Sequence, residues 1–410
     1  MRVSECVLKV RSQESVCNQL SKRAMFSLWP LRVELCAGQG KALRSPRYVH
    51  PSCGSGCEQH TAVTPSASLH SPRTRCLKCS VEEMIELGLP DGSLIDELIV
   101  LTSQSLGQLE IQEHFNIIKE IGRGKYGKVL LVTHRFKGTP MALKVMPKTS
   151  TKLQGFLREY CISLHLSCHP CIVGLFGIAF QSSEHYCFAQ ELVIGRDLFA
   201  VIQPKVGIPE LAAKRCAVQI ASALEFIHSR GLVHRDVKPE NILLLDHDCC
   251  QVKLADFGLA QKRGTLISFI TGTLPYMAPE LCKVALLEGQ KEVTAPPLSV
   301  EPSLDTWAFG VLIFCILTGY FPWERCTDSD DCYQEFADWS SVGEDGNTEQ
   351  DNPQLWNKFT PDAMELFRKL LAVDAEKRCA EGTVREYVMK AWLKKKNGME
   401  QQTTAEKDKE

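Results

Sequence analysis

Eight consecutive residues, His234-Arg235-Asp236-Val237-Lys238-Pro239-Glu240-Asn241, put three kinds of polar chemistry into one short loop. Asp236 brings a carboxylate, Lys238 an ammonium two residues on, and Asn241 an amide. Pro239 stiffens the turn between them. Apolar stretches flank the octet, one ending at Val233 and the next starting at Ile242. That order predicts a buried helix and strand presenting a rigid loop. Phosphoryl transfer asks little covalent chemistry of a protein. It needs an acceptor for a hydroxyl proton, a cation for moving negative charge and an oxygen ligand for magnesium. The octet supplies one of each.

Upstream, Ile121 leads into the run Gly122-Arg123-Gly124-Lys125-Tyr126-Gly127-Lys128-Val129. G-x-G-x-x-G alone is a weak signal, because it also occurs in dinucleotide folds, where it precedes a helix. Here it precedes a strand, which suits a loop folding over ATP phosphates. Without a Cβ, glycines let backbone amides approach phosphate oxygens. Ala142-Leu143-Lys144 follows on the third strand-like stretch. A lone surface lysine would be solvated and mute. Strand alternation turns Leu143 and Val145 the other way, so Lys144 can reach into a cleft. Twenty residues after Asp236, a strand ends in Asp256-Phe257-Gly258.

The octet resembles the catalytic loop of the protein kinases, H-R-D-x-K-x-x-N, and its lysine resembles that of the serine/threonine branch. The resemblance runs from Phe115 to Leu393 and rests on seven motifs in order. It implies that Lys144 grips the α- and β-phosphates of ATP, paired with Glu159 in Phe156-Leu157-Arg158-Glu159-Tyr160. Gln190 falls where the back pocket is controlled, and the backbone of Glu191 and Val193 where adenine is held. Asp236 becomes the catalytic base, Lys238 its partner, and Asn241 and Asp256 the Mg2+ ligands. Gly272 to Glu280 resembles the end of an activation segment closed by A-P-E, with Thr273 bonded to Asp236 and Lys238. The usual phospho-threonine slot holds Phe269, flanked by Ser268 and Thr271, so loop phosphorylation does not carry over. Asp305 matches the aspartate that anchors the catalytic-loop backbone, and Arg378 the partner of Glu280. Val252 to Gly258 and the stretch Trp307 to Gly319 are most similar to the SH3-binding-domain serine/threonine kinases. No two of the 20 prolines are spaced i, i+3, so P-x-x-P is absent and SH3 partners are not supported.

The implied fold is α+β and bilobal. A small five-stranded antiparallel lobe with one helix spans 115–192, and a larger, mainly helical lobe spans 193–393. Strands are expected at Phe115 to Ile121, Val129 to His134, Met141 to Val145, Cys171 to Phe180 and His185 to Leu192. A long helix is expected over 208–230 and a buried one from Asp305. The last domain helix should end near Leu393, with Lys394-Lys395-Lys396 as its solvated end and a polar tail to 410. The connection from Glu280 to Asp305, with Pro296, Pro297 and Pro302, reads as an exposed insertion.

Composition fits an ordinary globular enzyme, with 44% hydrophobic and 23% charged residues. A net charge of −2 argues against a nucleic-acid partner. Residues 1–80 hold 12 Lys/Arg against 4 Asp/Glu, and the rest 35 against 45. That basic, Ser/Pro/Cys-rich stretch reads as disordered. A rival reading takes Cys53, Cys57, Cys76 and Cys79, with His60, as a zinc-binding interaction module. Residues 81–114 read as a helical lead-in, with apolar spacing at Val81 to Leu87 and Leu94 to Leu101 around a turn at Pro90-Asp91-Gly92. It either packs on the next domain or serves as simple linker helices. No apolar run reaches the roughly 20 residues of a membrane span. Nineteen scattered cysteines fit reduced cytoplasmic thiols better than a disulfide framework. Cys249-Cys250 and Cys168 with Cys171 read as packing residues. A second functional reading is a pseudokinase scaffold, against which stands the intact set of charged residues.

Overall fold

The computed structural model describes residues 91–124, 127–267, 271–288, 297–342 and 352–395. Outside them lie the basic stretch 1–80, the zinc-like spacing from Cys53 to Cys79 and the helical reading of Val81 to Leu87. Lys125, Tyr126, Ser268, Phe269, Pro296 and the tail from 396 lie outside them too.

The described chain opens with helix α1 (Asp91–Ser105). Asp91 and Gly92, expected in a turn, fall in its first turn. Leu94, Ile95 and Leu98, spaced to share one helix face, are buried. A two-residue strand β1 (Gly107–Gln108) and a single turn α2 (Ile111–His114) follow. Then come β2 (Phe115–Gly124), β3 (Gly127–His134), β4 (Pro140–Pro147), helix α3 (Leu153–Leu166), β5 (Leu175–Gln181) and β6 (His185–Gln190). Their order in the sheet is β1-β5-β6-β4-β3-β2. Five antiparallel strands were expected, and the sheet has six, because β1 joins the edge in parallel with β5. Phe115, Val132, Leu143, Val145 and Cys187 form one buried cluster of this lobe. Phe156, Leu157, Tyr160 and Phe188 form another with Leu94 and Leu98 of α1.

The larger lobe is built on α4 (Glu210–Ser229), whose Ile220, Leu224 and Ile227 are fully buried. Short strands β7 (Leu232–Val233), β8 (Ile242–Leu244), β9 (Val252–Leu254), β10 (Gln261–Lys262) and β11 (Leu266–Ile267) follow. Next are α5 (Pro279–Glu288), β12 (Leu298–Ser299), α6 (Ser303–Thr318), α7 (Asp331–Ser341) and α8 (Pro361–Leu370). α6 is apolar all round and buried from Leu304 to Thr318, as a central core helix must be. It stops at Gly319, whose φ of 66° few other residues adopt readily.

Further expectations need correction. No helix runs to Leu393. After α8 the chain makes 3-10 turns at Ala375–Lys377 and Glu381–Glu386. Trp392 and Leu393 are then held extended, their N–H groups donating to the Glu210 carboxylate at 2.8 and 3.1 Å. Lys394 and Lys395 therefore extend from a strand-like bridge. The insertion before Asp305 is not wholly exposed either, since β12 pairs with β11 and Val300 is buried. Of the cysteines read as packing residues, Cys249 is buried and Cys171 half-buried, while Cys168 and Cys250 are exposed.

Candidate active site

The octet leaves β7, passes through a 3-10 turn at Pro239–Asn241 and enters β8. Val237 and Pro239 are buried and pin the loop from beneath. Lys238 Nζ donates to Asp236 Oδ1 at 3.0 Å and to Thr273 Oγ1 at 3.3 Å. Asn241 Nδ2 donates to the Asp236 carbonyl at 2.8 Å and to its Oδ2 at 2.9 Å. Both acceptors are oxygens, which fixes the orientation of the amide and leaves its carbonyl oxygen for another partner.

Arg235 sits at φ 68°, a left-handed conformation that costs a non-glycine residue energy. Asp305 holds it there. Its carboxylate, fully buried, accepts from the N–H of His234 and of Arg235, each at 2.7 Å. His228 Nε2 bonds the same carboxylate at 2.9 Å, and His228 Nδ1 lies 3.4 Å from Glu381 Oε2. Burial alone would push the His228 pKa down, but the two carboxylates outweigh it and raise it to about 10. Burial would likewise raise Asp305, and the His228 bond and charge hold it below the ordinary range. Thr306 Oγ1 closes the network on Glu381. Asp305 was readable from sequence, but His228 and Glu381 were not. They are 77 residues before and 76 residues after it, and no spacing signal joins them.

β9 delivers Asp256, also left-handed at φ 62°. Ala255 N–H donates to the Asn241 carbonyl at 2.8 Å, and His234 Nε2 lies 3.2 Å from the Ala255 carbonyl. The two polar loops are thus joined through main chain. Lys144 Nζ donates to Glu159 Oε1 at 2.5 Å and to Asp256 Oδ1 at 2.9 Å. Burial opposes its charge, yet the two carboxylates keep Lys144 protonated above its usual range. The Lys144 charge leads in holding Asp256 down at about 2. Burial raises Glu159, and Lys144 only partly offsets it.

β2 and β3 pair to the tip of the glycine run, with Gly122 opposite Val129, Arg123 opposite Lys128 and Gly124 opposite Gly127. Two bulges between Ile117 and Gly122 twist β2 as it enters the run. A Cβ on Gly124 would meet open space, whereas one on Gly127 would strike the Val145 carbonyl. Arg123 is tied to Glu120 by two bonds of 2.7 Å on the exposed face. Ile121 is exposed and Ala142 buried opposite Gln190. Glu191 N–H donates to the Gly174 carbonyl at 2.9 Å, so only its carbonyl is left for a ligand. The Glu191 carboxylate accepts from Gly174 N–H at 2.6 Å and from Lys253 of β9 at 2.7 Å. Val193 follows in a half-buried stretch without regular secondary structure.

After Asp256 the chain is held by strand pairing. β10 pairs with β7, and β11 with β12. Gly264 N–H donates to the Val300 carbonyl and Val300 N–H to that of Thr265. Thr273 makes its bond to Lys238, while the expected bond to Asp236 is absent among the described residues. Glu280 meets Arg378 in a two-pronged ion pair of 2.6 and 2.8 Å. The Arg378 side chain is fully buried, stacks on Trp307 at 4.9 Å and also donates to three carbonyls. Arg378→Ala is expected to lower unfolding stability by about 3–5 kcal/mol, because it leaves Glu280 and those carbonyls without their partner. Urea titration of both proteins checks this, and a loss below about 1 kcal/mol, the level of an exposed pair, would contradict it.

Comparison with known proteins agrees with this geometry. The family model described as the protein kinase domain matches residues 115–393. The chain is 47% identical over 300 residues to serine/threonine-protein kinase SBK1 of Danio rerio, covering 73% of this chain and 74% of that protein. It is 44% identical over 331 residues to serine/threonine-protein kinase SBK2 of Mus musculus, covering 79% and 87%. Serine/threonine-protein kinase meng-po of Drosophila melanogaster is 32% identical over 304 residues, covering 74% and 64%. Among the described residues no helix is long and apolar enough to cross a membrane.

Proposed function

The chain belongs to the protein kinase family, as a serine/threonine-protein kinase of the SH3-binding-domain group, and from that premise we propose that it transfers the γ-phosphoryl group of Mg-ATP to Ser or Thr hydroxyls of proteins. One observation carries this reading. Lys144, Glu159 and Asp256 meet through bonds of 2.5 and 2.9 Å, and main-chain bonds join Asp256's strand to the loop of Asp236 and Asn241.

Asp236 orients the acceptor hydroxyl and takes its proton. Lys238 offsets the charge that grows on the transferring group. Asn241 and Asp256 would hold Mg2+. The free Asn241 carbonyl and the second Asp256 oxygen make an oxygen-only pair, which suits a hard cation that takes its other ligands from phosphates and water. Bound Mg-ATP supplies the phosphoryl group and neutralises charge on it. Lys144, fixed by Glu159, positions the phosphates under the run from Gly122 to Val129. Ile121, Val129 and Ala142 flank the base, which the Glu191 carbonyl and Val193 backbone would recognise. A cytoplasmic location fits the twelve cysteines of the described residues, all free thiols.

The test is phosphate transfer from Mg-ATP to a mixed Ser/Thr peptide library by wild type and by Lys144→Met. Loss of signal in the variant is expected, and equal signal from both would overturn the reading. Glu240 is exposed within the octet, and Asp197 spends Oδ1 on Ala200 N–H at 2.8 Å while its other oxygen is spare. Both suit basic residues upstream of the acceptor. A positional peptide array should therefore favour Arg or Lys there, and a preference for acidic residues would contradict this assignment.

A further inference from the structure

Helix α1 precedes the segment matched by the kinase-domain family, yet its packing is directed at the helix that carries Glu159. Leu94 and Leu98, 1% and 0% exposed, share a buried cluster with Phe156, Leu157, Tyr160 and Leu164 of α3. Leu157 and Tyr160 bracket Glu159 on that helix. Thr102 Oγ1 lies 3.5 Å from Cys161 Sγ, one turn further along α1. Ile95 joins a second cluster with Ile162 and Leu166 of α3 and Ile172 just beyond it. On the exposed side Asp96 accepts from Lys262 Nζ at 2.6 Å. Lys262 lies in β10, six residues after Asp256. One helix therefore touches both the carrier of Glu159 and the segment that follows Asp256.

α3 does little to hold itself in place. Its N-terminus has no side-chain cap and no acidic residue in the first turn, although both normally steady a helix start. Its position must come from packing. The sheet supplies one part of that packing through Phe188 and Leu175, and α1 supplies another.

We infer that α1 is an intramolecular clamp on α3, and that Leu94 and Leu98 are positioning residues that keep Glu159 within reach of Lys144. The inference rests on the phosphoryl-transfer reading for its activity arm only. Chain that precedes the kinase-domain match thereby sets the geometry of the nucleotide site without touching nucleotide or substrate.

The test uses the full chain and three variants. Leu98→Ala removes the contact, Leu98→Met keeps its volume, and Val100→Ala alters a position of the same helix that is 52% exposed. The readouts are kcat, KM for ATP and for peptide, and amide hydrogen exchange. Leu98→Ala is expected to lower kcat about tenfold or more, the scale on which truncating a packed leucine shifts a two-state balance, with peptide KM unchanged. Exchange should rise across α3 while α6 stays protected. Leu98→Met should restore both readouts, and Val100→Ala should match wild type. Wild-type kcat and exchange in Leu98→Ala would overturn the clamp. So would exchange rising equally in α3 and α6, which marks general destabilisation. A wild type with no phosphotransfer would instead sink the proposed function, and selective loosening of α3 would still support the clamp.

Discussion

Asp236→Asn is expected to lower kcat by about 10²–10⁴-fold, the usual contribution of a positioned general base, with ATP affinity changed little. The substitution keeps size and shape, so packing around Val237 and Pro239 is undisturbed. The carboxylate now meets Lys238 at both oxygens, 3.0 and 2.9 Å away, and accepts from Asn241 at Oδ2. An amide can accept at only one of the two positions, and its NH2 must face a donor at the other. On the proposed reading the variant thus loses the proton acceptor, and its NH2 is set against the Lys238 ammonium whichever way the amide lies. Lys144, Glu159 and Asp256 keep their bonds to one another, because none of them bonds Asp236. Single-turnover transfer at saturating Mg-ATP, together with a nucleotide titration, separates the two quantities. A kcat within a few-fold of wild type would remove Asp236 from the chemistry. A matching collapse of nucleotide affinity would mean that the loop, and not the base, had been damaged.

The second large effect is on stability. Asp305→Ala is expected to cost about 3–5 kcal/mol, as breaking a buried ion pair from one side does. It takes one of two carboxylates from the His228 imidazolium, and it frees two N–H groups at a left-handed turn. The sign with pH follows from the two shifts. His228 is raised to about 10 in the folded chain. Its contribution is therefore complete below its unfolded value, about 6.5, and is lost as pH climbs through about 10. Asp305 is held below the ordinary carboxylate range. Its contribution is present above the unfolded value and is lost as pH falls through the depressed one. The stability gap between wild type and variant should be widest near neutrality and narrow towards both extremes. Urea unfolding at a series of pH values measures it, and a gap that did not vary with pH would rule out the ionic account. Kinase activity should fall with the same substitution, since Arg235 and Asp236 are adjacent.

What the sequence could and could not disclose follows from the range of each interaction. The octet, the glycine run and Asp256-Phe257-Gly258 are contiguous, so residue type and order were visible together. Lys144 and Glu159 sit on a strand and a helix whose periodicities are local signals. β1 was invisible for the opposite reason. Two exposed residues carry no alternation, and only the edge of β5 makes them a strand. The stretch before Leu393 looked helical because its local preferences are ordinary, and the Glu210 carboxylate, 183 residues away, overrides them. The pairing of β11 with β12 leaves no local signal, because prolines in a long connection read as exposed loop, whatever the end of that connection meets.

The Glu191 side chain bears on how this cleft moves. Its carboxylate grips Gly174 and Lys253 together, and the stretch beside Gly174 is itself stitched to β9, with Val173 N–H on Leu254 and Leu254 N–H on Cys171. The two lobes are joined along a seam as well as through the covalent crossover. A body fastened along a seam opens like a book, and its free edge travels furthest. On the proposed reading, nucleotide would leave beneath the glycine-rich strand pair while the spine of the book, beside Glu191, hardly stirs.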